Sequence, residues 1–328
     1  MISRVADNCF WLGRYLERTE ATARLLNVTR HLSMDAELEP RQCWLPVVIV
    51  IGEQPRIIDR TTEHPIGYTS GEQVERFMTW DDNNMSSIHQ SVANARENAR
   101  TIREVISLEM WEAINELYLW LNSEHARAEY ANERAVFYRR IRDRCQLAAG
   151  LMRSTMLHEV PLNFIWLGML LERGSQTARV VDVHHHAFTM REQSEDAIEA
   201  ALWLSLLRAC SGMEPFMKKH HGNVTGEAVA AFLTFEGAFP KSIAYSVREA
   251  RSRFEVIRPP LEVDLPGMRT AQRLASLDAW VTHESTHGEA GDVHERLTYV
   301  VDEIGAICDS VGQELFGHVP SFDSEQAQ

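Results

Sequence analysis

Two stretches of this 328-residue chain set a carboxylate beside a guanidinium, Glu17-Arg18 and Glu172-Arg173, each inside a Trp-Leu-Gly…Leu-Glu-Arg run. A glutamate among arginines can act as general acid or base while the guanidiniums grip a carboxylate or phosphate. The same residue types can instead lock helices together as ion pairs, because buried charge is costly unless it is paired and hydrogen-bonded. Both readings stay open from the sequence. On a helical wheel of about 100° per residue, Gly13, Glu17, Glu20 and Arg24 fall on one stripe. Gly168, Glu172 and Arg179 repeat it, with Ser175 in place of Glu20. Trp11, Arg18 and Thr22 form a second stripe, and Leu12, Leu16 and Ala23 a third; both recur in the later run. Shared positions therefore surround the helix. A surface helix needs to keep only one apolar face, so this helix is expected to be central.

Arg96, Arg100 and Arg103 lie at i, i+4 and i+7 and share a helical face. Like charges at that spacing repel, so the row implies acidic partners or an anionic ligand. It is the expected partner of Glu17, with Arg18 meeting a carboxylate elsewhere. The turn Asp81-Asp82-Asn83-Asn84-Met85-Ser86-Ser87 reads chiefly as a helix cap. An anion at the helix N-terminus or Mg²⁺ on the two aspartates are the other readings, and the repeat keeps only Glu236 there. His184, His185 and His186 are consecutive and point in three directions on a helix, which is poor ligand geometry; His186 aligns with His31. No phosphate loop, Gly-x-Ser-x-Gly or kinase signature is present, so ATP binding by this chain, a metal and a cofactor are not expected.

The elements that must position these residues come in two copies. Residues 10–28 and 165–183 are identical at ten of nineteen positions at an offset of 155. Residues 77–96 and 232–251 hold the same offset with eight of twenty identical. Two separated blocks sharing one offset predict a duplication. Helical periodicity is expected over 2–34, 86–107, 110–122 and 134–156, then 160–190, 196–211, 225–234, 240–256, 267–283 and 292–316. PVVIVIG (46–52) looks like a strand by propensity, but its repeat partner SLLRACSG does not, so both are read as helical. Residues 53–72, 257–267 and 284–292 read as loops. The expected fold is all-α, a duplicated helical bundle of two pseudo-symmetric repeats, 1–156 and 157–320, packed into one body, with a disordered tail at 321–328.

Bulk properties bound the function. A net charge of −14 and a pI near 5.5 argue against general nucleic-acid binding and against an anionic membrane surface. Five scattered cysteines without a Cys-x-x-Cys pair argue against a disulfide framework or a cysteine zinc site. The N-terminal residues lack an apolar h-region and the longest apolar runs are too short to span a bilayer, so a cytoplasmic location is expected.

WLGRYLERTEATARLL, the Ser-Ser-Ile turn, ARENARTIRE and EMWEAIN together resemble the bacterial alpha-E family, named for its helices and Glu-Arg motif. The resemblance runs over essentially the whole chain, since the second copy carries LERGSQTARVVDV and FPKSI. It implies a helical protein similar to ones encoded beside circularly permuted ATP-grasp proteins and transglutaminase-like proteases, hence a system that makes or trims amide bonds on a peptide. It carries over to Glu17, Arg18, Glu172 and Arg173, and to Arg96, Glu97, Arg100, Arg103, Trp111 and Asn115. The chain departs from the pattern at Met85, where Pro is expected, and at Met169, which stands where the first copy has Arg14. The departures imply a degenerate second site. The candidate acid/base groups are thus Glu17 and Glu172. The candidate ligand-holding residues are Arg14, Arg18, Arg24, Arg96, Arg100, Arg103, Arg173, Arg179, Trp111 and Asn115. The implied role is an accessory subunit that docks an ATP-grasp ligase or its peptide, carboxylate or phosphate substrate. The alternatives are an enzyme with an inter-helix Glu/Arg site for amide transfer or hydrolysis, and a purely structural adaptor.

Overall fold

A computed structural model of the chain describes residues 3–35, 43–44, 46–47, 50, 70–189, 196–221, 224–262, 264–287 and 293–318. These residues are helical almost throughout, with no strand among them. The helices are α1 (Ser3–Asp35), α2 (Gly71–Trp80), α3 (Ile88–Thr101), α4 (Leu108–Leu121), α5 (Glu124–Asn132), α6 (Arg134–Thr155) and α7 (Val160–Thr189). They continue as α8 (Asp196–Ala209), α9 (Met213–His220), α10 (Gly226–Phe235), α11 (Ile243–Ile257), α12 (Met268–His287) and α13 (Val293–Val311). A π-helical turn, Gly312–Phe316, follows α13. Within PVVIVIG, the described Pro46, Val47 and Val50 are helical. Most of the 53–72 loop, His185 and His186 as side chains, and the 321–328 tail lie outside the described residues.

The wheel's expectation of a central helix holds for both Leu-Glu-Arg helices, α1 and α7. No residue from Val5 to Arg30 on α1 is exposed, and none from Val160 to His184 on α7. α1 packs on α7, α3, α6 and α8; α7 packs on α1, α11, α13 and α10. Each long helix is thus wrapped by other helices, with apolar side chains filling much of the contact and buried polar groups the rest. Phe10, Leu12 and Leu26 are almost fully buried there, each worth ~1.5–3 kcal/mol relative to exposure.

Main-chain contact brings α1 and α7 together. A Cβ on Gly13 would overlap the carbonyl oxygen of Ile165, and a Cβ on Gly168 would overlap that of Phe10. Residues 10 and 165, like 13 and 168, are 155 apart, so the two contacts are reciprocal. Only hydrogen at Cα lets the backbones meet this closely. Two shorter helices begin the same way. The first residue of α2, Gly71, sits against the indole of Trp44, and the first residue of α10, Gly226, against that of Trp203.

Serines start α3 and α11. Ser87 Oγ accepts from the Gln90 N–H at 3.2 Å, and Ser242 Oγ from the Tyr245 N–H at 3.0 Å. Both satisfy amides that the helix start leaves unpaired. The Asp81–Ser87 turn is largely self-satisfied. Asp81 and Asn84 accept from the backbone amides of Asn83 and Ser86, and Asp82 takes His89 Nδ1 at 2.8 Å. It forms a cap, as its composition suggested. Three helices fall where periodicity predicted none: α2, α5 and α9. They have 10, 9 and 8 residues, too short for an amphipathic stripe to register clearly.

Candidate functional site

The Glu-Arg steps meet each other across the α1–α7 crossing. Arg173 donates Nε to Glu17 Oε1 at 2.8 Å and Nη2 to Oε2 at 2.7 Å. Arg18 donates Nε to Glu172 Oε1 at 2.7 Å and Nη2 to Oε2 at 3.0 Å. Each helix therefore gives a carboxylate to the other helix's guanidinium, in the two-pronged geometry that makes such bonds strong. Both carboxylates are almost fully buried, Glu17 at 4% exposure and Glu172 at 3%.

Further cations close the two clusters. Arg14 donates Nε to Glu172 at 2.8 Å, and Gln176 adds a fourth donor at 3.1 Å. Arg14 also lies over the Trp11 ring. On α1, Glu20 takes Arg24, four residues on, and the ammonium of Lys241. Lys241 also lies 3.6 Å from Glu17. Electrostatics follow the pairing. Burial raises the Glu172 carboxyl, but Arg18 and Arg14 more than offset it and hold the group far below the usual carboxylate range. Glu20 is likewise drawn down to about 2 by Lys241 and Arg24 against burial. Carboxylates held this low stay ionised and are weak proton donors and acceptors at neutral pH.

The sequence-predicted partner for Glu17 is therefore corrected. Its guanidinium comes from α7, not from the Arg96, Arg100 and Arg103 row of α3. The crossing of α1 on α7 places one Glu-Arg step against the other, so each ion pair runs between the two long helices. The α3 row forms a separate cluster. Arg96 donates Nε to Asn115 at 2.9 Å, lies over the Tyr118 ring and pairs with Glu97. Arg103 stacks over Trp111. Arg100 is largely exposed and also pairs with Glu97. The repulsion expected along the row is thus relieved by one acidic neighbour and by aromatic faces. Arg96, Arg103, Trp111 and Asn115 are brought together, as grouped, but away from Glu17 and Glu172.

Arg179 departs from its counterpart. Arg24 has Glu20 beside it; at the matching place Arg179 has Ser175, and it makes no hydrogen bond or ion pair among the described residues. Burial, with the like charges of Arg18 and Arg14, lowers its pKa against the pull of Glu172.

Several polar residues of the assembly carried no signal in the repeat. Lys241 stands, at the offset of 155, opposite Ser86. Glu75, 1% exposed, takes Arg134 at 2.7 Å and Arg30 at 3.3 Å, tying α2 to α6 and α1, and its counterpart is Ala230. A carboxylate between Val74 and Met78 on an otherwise apolar face was the available clue. Burial pushes the Cys9 and Cys210 thiols up to about 12, and Cys145 well up too, which makes these three poor nucleophiles at neutral pH. Among the described residues, no group of three or more His, Cys, Asp or Glu could hold a metal ion, and no helix is long and apolar enough to cross a membrane.

Residues 1–316 match the model of the Alpha-E family, described as a predicted alpha-helical domain with a conserved ER motif. The chain is similar to an uncharacterised protein of Mycobacterium bovis, with 23% identity over 288 residues, covering 82% of this chain and 30% of the relative. Two uncharacterised proteins of Mycobacterium tuberculosis match with the same identity and coverage. The chain thus spans about 30% of the length of the curated relatives it matches. No solved structure matches it. With its Glu-Arg steps at Glu17-Arg18 and Glu172-Arg173, and a match that takes in nearly its whole length, the chain belongs to the Alpha-E family.

Proposed function

We propose that this chain is an accessory subunit of an ATP-grasp-linked, amide-bond-forming peptide-modification system, in which it docks the ligase or its substrate. The observation that supports this over a Glu/Arg active site is the reciprocal pairing of Glu17 with Arg173 and Glu172 with Arg18. Those carboxylates are occupied in holding α1 against α7. A rigid helical body that spends its motif on cohesion suits a docking role. A circularly permuted ATP-grasp protein is the primary partner on this reading, a transglutaminase-like protease a second one, and the setting is cytoplasmic. The proposal includes the division into two repeats at 1–156 and 157–320.

The test is co-expression and copurification with the ATP-grasp protein, followed by assay of the complex. The expected result is a stable complex whose activity, in a Glu17→Gln variant, falls only as far as folded protein is lost. Failure to form a complex in repeated copurification would overturn the partnership. Loss of turnover by a fully folded Glu17→Gln complex would favour the enzyme reading instead.

A further inference from the structure

A cleft of about 260 Å³ opens where α1, α6 and the α8–α9 connection meet. It is distinct from the Glu-Arg crossing, and only Arg24 borders both. Its size is near the lower end for small-molecule sites.

The lining is cationic on a chain whose net charge is −14. Arg24, Arg139, Arg142 and Arg208 face Glu214 as the lone lining carboxylate. Arg24 and Arg142 have carboxylate partners in Glu20 and Asp143. Arg139 makes no hydrogen bond or ion pair among the described residues. Arg208 gives Nε to the Met213 thioether at 3.2 Å, a weak acceptor. Two guanidiniums therefore lack an anion where guanidiniums are concentrated.

Two buried polar atoms in the same wall also lack partners: Asn27 Oδ1 and Ser211 Oγ. Buried polar groups are nearly always hydrogen-bonded, so each such atom calls for an explanation. Ser211 is unusual in its backbone as well. It ends α8 with a φ of 58°, the left-handed conformation that favours glycine, and Gly212 N–H returns to the Leu207 carbonyl at 2.7 Å. A serine stands at the position where glycine would be less strained.

We propose that this cleft binds a small oxyanion, carboxylate or phosphate. The guanidiniums of Arg139 and Arg208 would take the anion. A peptide C-terminus or inorganic phosphate would supply it. The inference does not rest on the ATP-grasp partnership.

Calorimetric titration of the full chain at low salt tests it with three probes: inorganic phosphate, an N-acetylated dipeptide with a free carboxylate, and the same dipeptide amidated. Saturable one-to-one binding of phosphate or of the acid is expected, with none of the amide; which oxyanion binds identifies the source. Arg139→Gln combined with Arg208→Gln should weaken binding at least ~10-fold with the melting temperature unchanged, both side chains being exposed. Ser211→Gly should relieve the strained φ and hold or raise the melting temperature without loss of binding, its hydroxyl being enclosed by protein. Three results would overturn the proposal: neither oxyanion binds, the amide binds equally well, or binding survives the arginine substitutions.

Discussion

Glu17 on α1 accepts both prongs of the Arg173 guanidinium on α7, and the residues 155 positions from each, Glu172 and Arg18, make the same bond in the opposite direction. Two Gly–carbonyl contacts a turn away share that reciprocity. The crossing therefore has main-chain closeness at its centre and ion pairs along its flank. Each feature depends on the other, because guanidiniums reach across only where the backbones are near.

Gly13→Ala and Gly168→Ala should each destabilise the chain. The added methyl has nowhere to go but into a carbonyl oxygen, so α1 and α7 must separate. Overpacking of this kind typically costs ~1–3 kcal/mol. Urea denaturation reads it as a lower midpoint, and an unchanged midpoint in both variants would show that the crossing is looser than described.

Glu172→Gln keeps shape but removes charge from a carboxylate that faces both Arg14 and Arg18. Leaving mostly buried guanidiniums without a counter-charge should cost about 3 kcal/mol, the low end for a broken buried pair. Chemical denaturation checks it. A loss of under about 0.5 kcal/mol, the range typical of surface substitutions, would mean that solvent screens the cluster.

Ser175→Glu should stabilise the fold. It recreates on α7 the i, i+4 arrangement that Glu20 and Arg24 have on α1, and it gives Arg179 a carboxylate. A helical pair of this kind adds ~0.2–0.5 kcal/mol, and partial burial of Arg179 should place the gain at the upper end. The matched control is Ser175→Gln, which should give little of it.

Stability should fall with acid in two stages. His184 is buried, with Nδ1 on the Val180 carbonyl at 2.7 Å, and burial lowers its pKa from 6.5 to about 4. The unfolded chain then takes up the proton first, so this contribution is full above about 6.5 and is lost as the pH falls towards 4. A shift of that size corresponds to on the order of 3 kcal/mol. Glu20 and Glu172 are depressed, so their contribution is full above 4.5 and is lost below it, through about 2 for Glu20. Denaturation at a series of pH values should show a His184→Gln variant with a flatter profile between pH 6.5 and 4 and an unchanged fall below that. Parallel profiles throughout would contradict the assignment.

The helical architecture and the centrality of α1 and α7 were legible because positions shared at an offset of 155 surround the helix wheel. The pairing partner was not. A wheel gives the face on which Glu17 lies but not which helix crosses that face, and the nearest visible cations were those of Arg96, Arg100 and Arg103. Lys241 and Glu75 escaped because neither residue type recurs at the offset of 155, where Ser86 and Ala230 stand. The cleft at Ser211 escaped for another reason. It is assembled from Asn27, Arg139 and Arg208, which are far apart in sequence, and its strained serine follows a helix end that resembles any other.

The central claim is that the Glu-Arg motif is a cohesive cross-helix pair. A double-mutant cycle on Glu17→Gln and Arg173→Gln, read by urea denaturation, tests it most directly. The account predicts strong coupling, about 1–3 kcal/mol, with the double variant well short of the sum of the two single losses. Additive losses, or single variants as stable as the parent, would contradict it.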